Sequence, residues 1–315
     1  MFRVILVGTN PIIWTDVIKN WSAGLAAFIS QKTLFKTRPI VGFIHALVAW
    51  GFTLYLAVNV IDVLYGFIPN FKFLPNNIVG DVYRLFVDIF SVLVLFGVVY
   101  FLVRRFLLKE DRLMIKDPVM LSDKAKKGMK FDSFLVGTFI IVHIGSRFLS
   151  ASFEIAIHGP DWSQPAANIV ATFWSTLSPN ALTISEHVTW WLALGLILLF
   201  LPYFPYSKHA HLFMGPLNIM ATSDRRSMAA IETIDFEDED LDQFGAAQIQ
   251  HLPQTQLLDG FACIQCSRCQ DACPAYETGK ELSPSALEIN KRYFINDNIS
   301  KIANGESIDK ALTEW

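Results

Sequence analysis

The sequence predicts an all-α fold in which a polytopic bundle of four transmembrane helices is joined to a small α-helical domain. Hydrophobic residues make up 52% of the 315 residues and charged residues only 17%, a composition too apolar for a soluble domain of this length. Four long apolar segments account for it, and all four cysteines lie between Cys263 and Cys273. We therefore expect a membrane domain and an aqueous domain that binds a metal.

Each apolar segment is long enough to cross a membrane as a helix, since a hydrocarbon core of about 30 Å takes about 20 helical residues. A few polar residues in each segment indicate an inward face within a bundle. The predicted spans are residues 40–65, 82–103, 131–157 and 183–204.

Lysine and arginine residues predict how these spans are oriented. They are concentrated in the connection 104–130, whereas the connection 159–181 has none and the connection 66–81 has only Lys72. The positive-inside rule then places both ends of the chain in the cytoplasm. The sequence thus predicts a multi-pass protein of the cytoplasmic (inner) membrane, in contact with membrane lipid and with its cysteines on the cytoplasmic side.

The rest of the chain divides around this membrane domain, residues 37–218. Residues 1–36 are predicted to lie at the membrane interface, with an amphipathic helix over 21–35 on the inner leaflet and no cleavable signal peptide. An acidic run within 219–250 indicates a solvated linker rather than a docking patch. Residues 251–315 form the predicted metal-binding domain. The formal net charge of −3 provides no basic surface for nucleic acid.

The cysteines follow the C-x2-C-x2-C-x3-C-P spacing of bacterial-type 4Fe-4S ferredoxins. They are Cys263, Cys266, Cys269 and Cys273, followed by Pro274. Two-residue gaps let three thiolates surround one cubane cluster. Zinc is the alternative metal, but structural zinc sites usually draw two ligand pairs separated by a longer loop. The spacing therefore favours a 4Fe-4S cluster.

The role of Cys273 stays open at this point. In two-cluster ferredoxins the fourth cysteine of such a run binds the other cluster, and the sequence has no second run. Either Cys273 completes a single local cluster, or the missing cysteines lie on a partner or on a C-terminal extension. We expect the second arrangement.

The segment from Leu257 to Pro284 resembles the first half of the α-helical ferredoxin domain of heterodisulfide reductase-related Fe-S oxidoreductases. The resemblance covers the sequence LLDGFAC before the motif and AYETGKELSP after it. In that family a second four-cysteine run and cysteine-rich CCG domains normally follow, and neither occurs in this sequence. The resemblance implies an electron-transfer role and a ferredoxin-like fold for this domain.

Histidines within a membrane are costly and tend to mark functional sites. His45 is predicted near the inner end of the first span, and His209 and His211 lie where the fourth span leaves the membrane on the same side. Two imidazoles at one depth are what a b-type haem needs. His143 and His187 lie further out, where a second haem is the corresponding hypothesis. The alternative is that these side chains snorkel to the interface or form internal hydrogen bonds.

Residues 42–52 and 201–218 resemble the membrane helices of the nitrate reductase gamma-subunit-like family. In that family histidines on two helices bind haem b and exchange electrons with quinone. The resemblance implies an inner haem b held by His45 and His209, with His211 as a substitute ligand, and menaquinone or ubiquinone as the substrate. Tyr55 stands where a further histidine ligand of the family would fall.

Several ionisable residues lie in the predicted outer halves of the helices. Arg147, Glu154 and His158 form a candidate quinone site, and Glu154 and His158 are four residues apart, so they share a helix face. Arg84 and Asp88 lie nearby. Buried ion pairs would give the same pattern of residues, and they are the favoured interpretation.

These observations predict a membrane-bound electron-transfer oxidoreductase. Electrons would pass between a soluble flavoprotein or other cytoplasmic donor, for example electron-transfer flavoprotein, a 4Fe-4S cluster, haem b and membrane quinone. Two alternatives remain: a non-catalytic membrane anchor that docks a soluble oxidoreductase, and a transporter or sensor that relays protons through its histidines.

Overall fold

A computed structural model describes residues 1–71, 77–221, 235–237, 245–306 and 308. The described residues contain helices but no β-strand, apart from one isolated bridge between Thr9 and Pro253. The all-α prediction is confirmed. The α-helices of the described chain are α1 (Phe2–Leu6), α2 (Trp14–Lys19), α3 (Trp21–Ser30), α4 (Lys32–Thr37), α5 (Pro39–Phe67), α6 (Ile78–Leu102), α7 (Asp123–His158), α8 (Pro165–Ala171), α9 (Pro179–Tyr203), α10 (His211–Met220), α11 (Gln254–Ala262), α12 (Arg268–Asp271), α13 (Pro274–Glu277), α14 (Pro284–Asp297) and α15 (Ile299–Ala303).

Short turns of other helix types complete the described structure. A π-helical turn, Val103–Leu107, extends α6. Turns of 3-10 helix occur at Asp111–Leu113, Thr172–Trp174, Lys208–Ala210 and Ile249–His251.

Four helices are long and apolar enough to cross a membrane: α5, α6 with its π-helical turn, α7 and α9. They correspond to the four predicted spans. α7 begins at Asp123, earlier than predicted, because a polar first part continues the same helix.

The described chain packs into two compact units, each discontinuous in sequence. One unit, here called the cysteine unit, comprises Met1–Ser30, Lys109–Ser133 and Phe204–Trp315. The other, here called the bundle unit, comprises Gln31–Leu108 and Phe134–Tyr203. The contiguous domain boundaries expected from the sequence stay a prediction.

In the bundle unit, α5 and α6 pack closely because glycines face larger side chains of the neighbouring helix. A Cβ atom at Gly51 would lie 2.2 Å from Cγ2 of Val94, and one at Gly97 would lie 2.5 Å from Cγ2 of Val48. Small residues at such contacts let membrane helices approach one another. α7 is the most enclosed span, with 50% of its apolar window buried against 17% for α9.

The connection after α7 contains α8, a short helix that the sequence analysis did not predict. Asp88 of α6 positions it, because the carboxylate accepts hydrogen bonds from the backbone N–H groups of Ala166 at 2.7 Å and Ala167 at 2.9 Å. A carboxylate at a helix start satisfies donors that have no partner within the helix. Asp88 therefore has a structural role in this unit.

The core of the cysteine unit joins the start of the chain to the helices around the cysteines. Val4 of α1 packs in one apolar cluster with Leu257 and Phe261 of α11 and with Ile295 of α14, and all four are fully buried. The backbone N–H of Thr9 also donates to the carbonyl of Leu252 at 2.9 Å. The first residues of the chain thereby support the helix that leads into the cysteine segment.

The segment predicted as one amphipathic helix over 21–35 is divided in the structure. Gln31 has a φ of +50° and separates α3 from α4, since a left-handed residue ends a helix. Trp21, Leu25 and Ile29 of α3 are exposed at helical spacing, so they form an apolar stripe on the surface of this helix, and its amphipathic character stays a prediction. Its place at the membrane interface stays a prediction. Of the predicted acidic linker, residues 222–234 and 238–244 lie outside the described residues, as does Lys72.

Candidate metal centre and polar cavity

The four cysteines lie in one segment of the cysteine unit, between α11 and α14. Cys263 directly follows α11, Cys269 lies in α12, and Cys273 directly precedes Pro274, the first residue of α13. Cys269 is exposed, whereas the other three cysteines are partly buried. All four thiols therefore belong to a single loop region that is anchored by buried residues of α11.

The backbone between the cysteines turns twice through the left-handed conformation. Gln265 has a φ of +58° and Ser267 a φ of +59°, on either side of Cys266. The backbone N–H of Gln265 points to Sγ of Cys263 at 3.4 Å. Concave runs of backbone N–H groups of this kind bind anionic groups, including iron-sulfur clusters.

The arrangement of the thiols bears on which metal they fit. In the described chain, no three His, Cys, Asp or Glu side chains are grouped as ligands of one metal ion. A cubane cluster takes one thiolate for each of its irons, and four thiols lie in this loop. The donor set, its spacing and the loop conformation fit a 4Fe-4S cluster.

Burial also controls the protonation of these thiols. Desolvation raises the pKa of Cys263 to about 12 and raises the pKa of Cys269. Both groups are therefore protonated at neutral pH in the absence of a cation. A bound metal replaces these protons, and metal binding at this loop is coupled to proton release.

One buried cation joins the cysteine loop to the segment before α10. Arg292 of α14 is 2% exposed. Its Nη1 donates a hydrogen bond to the carbonyl oxygen of Cys263 at 2.9 Å, and its Nη2 donates one to the carbonyl oxygen of Ser207. The hydroxyl of Ser207 in turn accepts a hydrogen bond from the backbone N–H of His209 at 3.1 Å. The loop and the histidine segment are thus held by a common donor.

His209 and His211 lie side by side in the cysteine unit, with ring centroids 6.4 Å apart. Burial holds the pKa of His209 well below its ordinary value of 6.5, and the nearby His211 and Lys208 lower it further. Nδ1 of His211 lies 2.6 Å from the carbonyl oxygen of Lys208. Since a carbonyl only accepts, Nδ1 of His211 carries the proton and Nε2 presents its lone pair, as in metal-binding histidines.

The bundle unit contains His45, His143 and His187, the other histidines of the predicted haem sites. His143 of α7 is 5% exposed, and its Nδ1 donates to the carbonyl oxygen of Ala193 in α9 at 2.9 Å. Its Nε2 is buried and has no hydrogen-bond partner in the described chain. A histidine oriented by a carbonyl, with a second nitrogen left over, fits an axial haem ligand.

His187, the other candidate ligand for a second haem, has an exposed side chain and lies 2.8 Å from the carboxylate of Glu186. His45 is partly buried on α5, with its ring edge-on to Phe101 at 6.3 Å. The pairing of His143 with His187 and of His45 with His209 stays a prediction.

A polar cavity of about 260 Å³ lies within the bundle unit. Arg147 and Glu154, two of the three residues of the predicted quinone site, line it, together with Arg84 and Asp88. The third, His158, is exposed, and its Nδ1 lies 3.2 Å from the carbonyl oxygen of Glu154 rather than in the cavity lining.

Both arginines that line this cavity are paired with carboxylates. Nε of Arg147 donates to the carboxylate of Asp62 at 2.7 Å. Arg84 pairs with Asp161 at 3.0 Å and with Asp81. Ion pairing, the interpretation favoured from the sequence, therefore holds for both arginines, although both also line the cavity.

The sequence analysis did not single out several residues that the structure brings to these sites, among them Asp62, Tyr83 and Arg292. The sequence could have drawn attention to Asp62, because it is a carboxylate within a predicted span, where ionised groups are rare. Arg292 lies in a polar helix, where a charged residue is ordinary and indicates no special role.

The fold and the loop define a class of protein: an all-α chain with four helices able to cross a membrane and a four-cysteine segment suited to an iron-sulfur cluster. Over 273 residues, 85% of its length, the chain is 34% identical to the probable iron-sulfur-binding oxidoreductase FadF of Bacillus subtilis. Over 301 residues, 93% of its length, it is 28% identical to the EtfAB:quinone oxidoreductase of Syntrophomonas wolfei. Both similarities support a relationship to iron-sulfur oxidoreductases.

These matches cover 36% and 41% of the respective relatives. The chain therefore spans about two fifths of the length of the curated relatives it matches. No protein-family model and no solved structure matches the chain.

Proposed function

We propose that this chain is the electron-transfer part of a membrane-bound oxidoreductase. Electrons pass between a cytoplasmic donor such as electron-transfer flavoprotein, a 4Fe-4S cluster at the cysteine loop, haem b and membrane quinone. The observation that carries the proposal is the four-cysteine loop, whose left-handed residues turn a backbone N–H towards the first thiol. The name of one relative supports the iron-sulfur part, and the name of the other supports the flavoprotein and the quinone.

Individual residues have distinct parts in this proposal. Cys263, Cys266 and Cys269 hold the cluster, and Cys273 binds the same cluster or a second one. His45 with His209 or His211 holds an inner haem b, and His143 with His187 a second haem. When bound, these groups supply one-electron chemistry. The protein orients the ligands, excludes water and sets the charge around each group.

The test is the cofactor content of the chain purified without oxygen from its membrane. We expect acid-labile sulfide, iron in excess of haem, and a b-type α band in the reduced-minus-oxidised spectrum. Reduction of this band by a quinol would exclude a transporter or sensor. Iron and sulfide without haem would contradict the proposal in favour of an anchor subunit.

Two sets of variants separate the cofactors. Cys266→Ser should lose iron and sulfide and keep the haem band, because its thiol is not among the proposed haem ligands. His45→Ala and His143→Ala should each lower haem content and leave sulfide unchanged. His251→Ala, which changes a histidine outside the candidate sites, is the matched control and should keep both cofactors. Unchanged haem in His45→Ala and His143→Ala would contradict these ligand assignments.

A further inference from the structure

We propose that the cavity of the bundle unit binds the ring of a quinone, with the hydroxyl of Tyr83 hydrogen-bonded to a ring oxygen. The inference rests on the proposed function, because it names where the quinone of that function is held. It assigns this site to residues of α5, α6 and α7, all within one unit.

The charge of the cavity disfavours an anionic ligand. Arg147 is paired with Asp62 and Arg84 with Asp161, so neither guanidinium is left to bind a phosphate or another anion. The carboxylates of Asp88 and Glu154 also line the cavity; Asp88 accepts two backbone hydrogen bonds, and Glu154 is exposed. An uncharged molecule with hydrogen-bonding oxygens fits these surroundings.

Tyr83 supplies the hydrogen bond that such a molecule needs. Its hydroxyl is buried, and among the buried side-chain polar atoms of the described residues that line the cavity it is the one without a hydrogen-bond partner. An unsatisfied buried hydroxyl is costly, so it indicates a ligand or a water at that position. A phenol also suits both redox states of a quinone, since it donates to a carbonyl oxygen and accepts from a quinol hydroxyl.

Size and wall composition agree with an aromatic ring. Val87, Phe148 and Ala151 provide apolar surface among the polar lining residues. The volume of about 260 Å³ is slightly below that of sites for drug-sized ligands, about 300–1,000 Å³. The cavity therefore accommodates a head group, while the isoprenoid tail of a membrane quinone remains in lipid.

The cavity also lies next to the strongest haem-ligand candidate of its unit. Tyr55 lines the cavity, its hydroxyl lies 2.7 Å from Oγ of Ser91, and its ring packs edge-on to the ring of His143 at 6.1 Å. Conversion of a quinone to its quinol adds two electrons and two protons, one hydrogen to each carbonyl oxygen. A b-type haem is the one-electron partner that the proposed function supplies, and the exposed Glu154 provides an exchange site for protons with water.

Direct binding of a quinol analogue tests the site without electron flow. The probe is the fluorescent compound heptyl-hydroxyquinoline N-oxide, titrated into the full chain in lipid nanodiscs. Tyr83→Phe should raise its Kd about 3- to 10-fold, the value of one hydrogen bond. Val87→Phe should raise it more than about tenfold, because the added ring overfills the cavity. Tyr100→Phe, the same change on the same helix outside the cavity lining, should leave Kd unchanged.

The outcomes of this experiment separate the cavity from the proposed function. Equal Kd values in the wild type, Tyr83→Phe and Val87→Phe, in protein that keeps its haem band, would overturn the quinone site and leave the proposed function intact. The expected order of Kd values in protein without haem would support the site and contradict the haem assignment. Binding that weakens equally in Tyr100→Phe would also overturn the site.

Discussion

The guanidinium of Arg292 donates one hydrogen bond to the carbonyl of Cys263 and another to the carbonyl of Ser207, so a single buried cation holds both the cysteine loop and the segment that leads to His209. Its charge would also favour an anionic cluster at this loop, since the reduction potential of such a cluster depends on nearby charge and hydrogen bonds. These hydrogen bonds make the position of the cysteine loop depend on α14, the helix that carries Arg292.

Replacement of Arg292 by glutamine should release this loop. The change removes hydrogen bonds from a charged donor to two carbonyl groups, each worth about 1.5–3 kcal/mol. We expect faster bleaching of the cluster by an iron chelator and a lower melting temperature of the detergent-solubilised protein. Lys124→Gln on the same unit is the control, because Lys124 is an exposed partner of Asp297 of α14 and such pairs contribute about 0–1 kcal/mol. Equal bleaching rates in both variants would contradict the role of Arg292.

The left-handed backbone at Ser267 gives a second prediction. Alanine and glycine both remove the hydroxyl, which lies 3.4 Å from that of Ser285, so the two variants differ chiefly in their tolerance of the φ of +59°. A residue with a Cβ costs about 1–2 kcal/mol in this conformation. Ser267→Gly should therefore retain its cluster longer than Ser267→Ala under chelator. Identical rates would mean that the loop does not need this conformation to hold iron.

Much of the fold was predictable because lipid imposes a strong constraint on sequence. A span must be long, helical and apolar, and the four predicted spans correspond to α5, α6, α7 and α9. The short helix α8 escaped prediction since its start depends on Asp88, a residue 77 positions before Pro165 along the chain. No local sequence pattern around α8 indicates a hydrogen-bond partner so far away along the chain.

The candidate site was predictable to different degrees for its two parts. Cysteine spacing indicated the candidate metal loop because all four thiols are close in sequence. The cavity was only partly predicted: Arg147 and Glu154 line it, whereas Tyr83 and Tyr55 join them through helix packing. Periodicity places a residue on a helix face, but it does not say which neighbouring helix that face meets.

The close contact between α5 and α6 predicts how the bundle responds to small changes. Gly97→Ala would place a Cβ atom 2.5 Å from Val48, and overpacking of this kind costs about 1–3 kcal/mol. Gly195→Ala in α9 is the matched control, because a Cβ there meets nothing within 4 Å and alanine favours helix by about 1 kcal/mol over glycine. The melting temperature should fall in the first variant and stay equal or rise in the second. A fall of the same size in both would contradict the packing of α5 on α6.

The ion pair between Asp62 and Arg147 gives the last prediction. Both side chains are largely enclosed, and the two charged atoms lie 2.7 Å apart. Removal of one partner leaves a buried charge uncompensated and costs about 3–5 kcal/mol, whereas removal of both is often neutral. Asp62→Leu should therefore lower the melting temperature more than the double variant Asp62→Leu with Arg147→Met.

Binding of the quinol analogue separates the two roles of this pair. Because Arg147 lines the cavity and Asp62 does not, the double variant should regain much of its stability but still bind the analogue more weakly than the wild type. Stability is read from thermal unfolding in detergent, and affinity from the fluorescence titration in nanodiscs. If the double variant melts no higher than Asp62→Leu, then Arg147 is held by contacts other than the carboxylate of Asp62, and this ion pair is not what compensates the charge of Arg147 at the cavity.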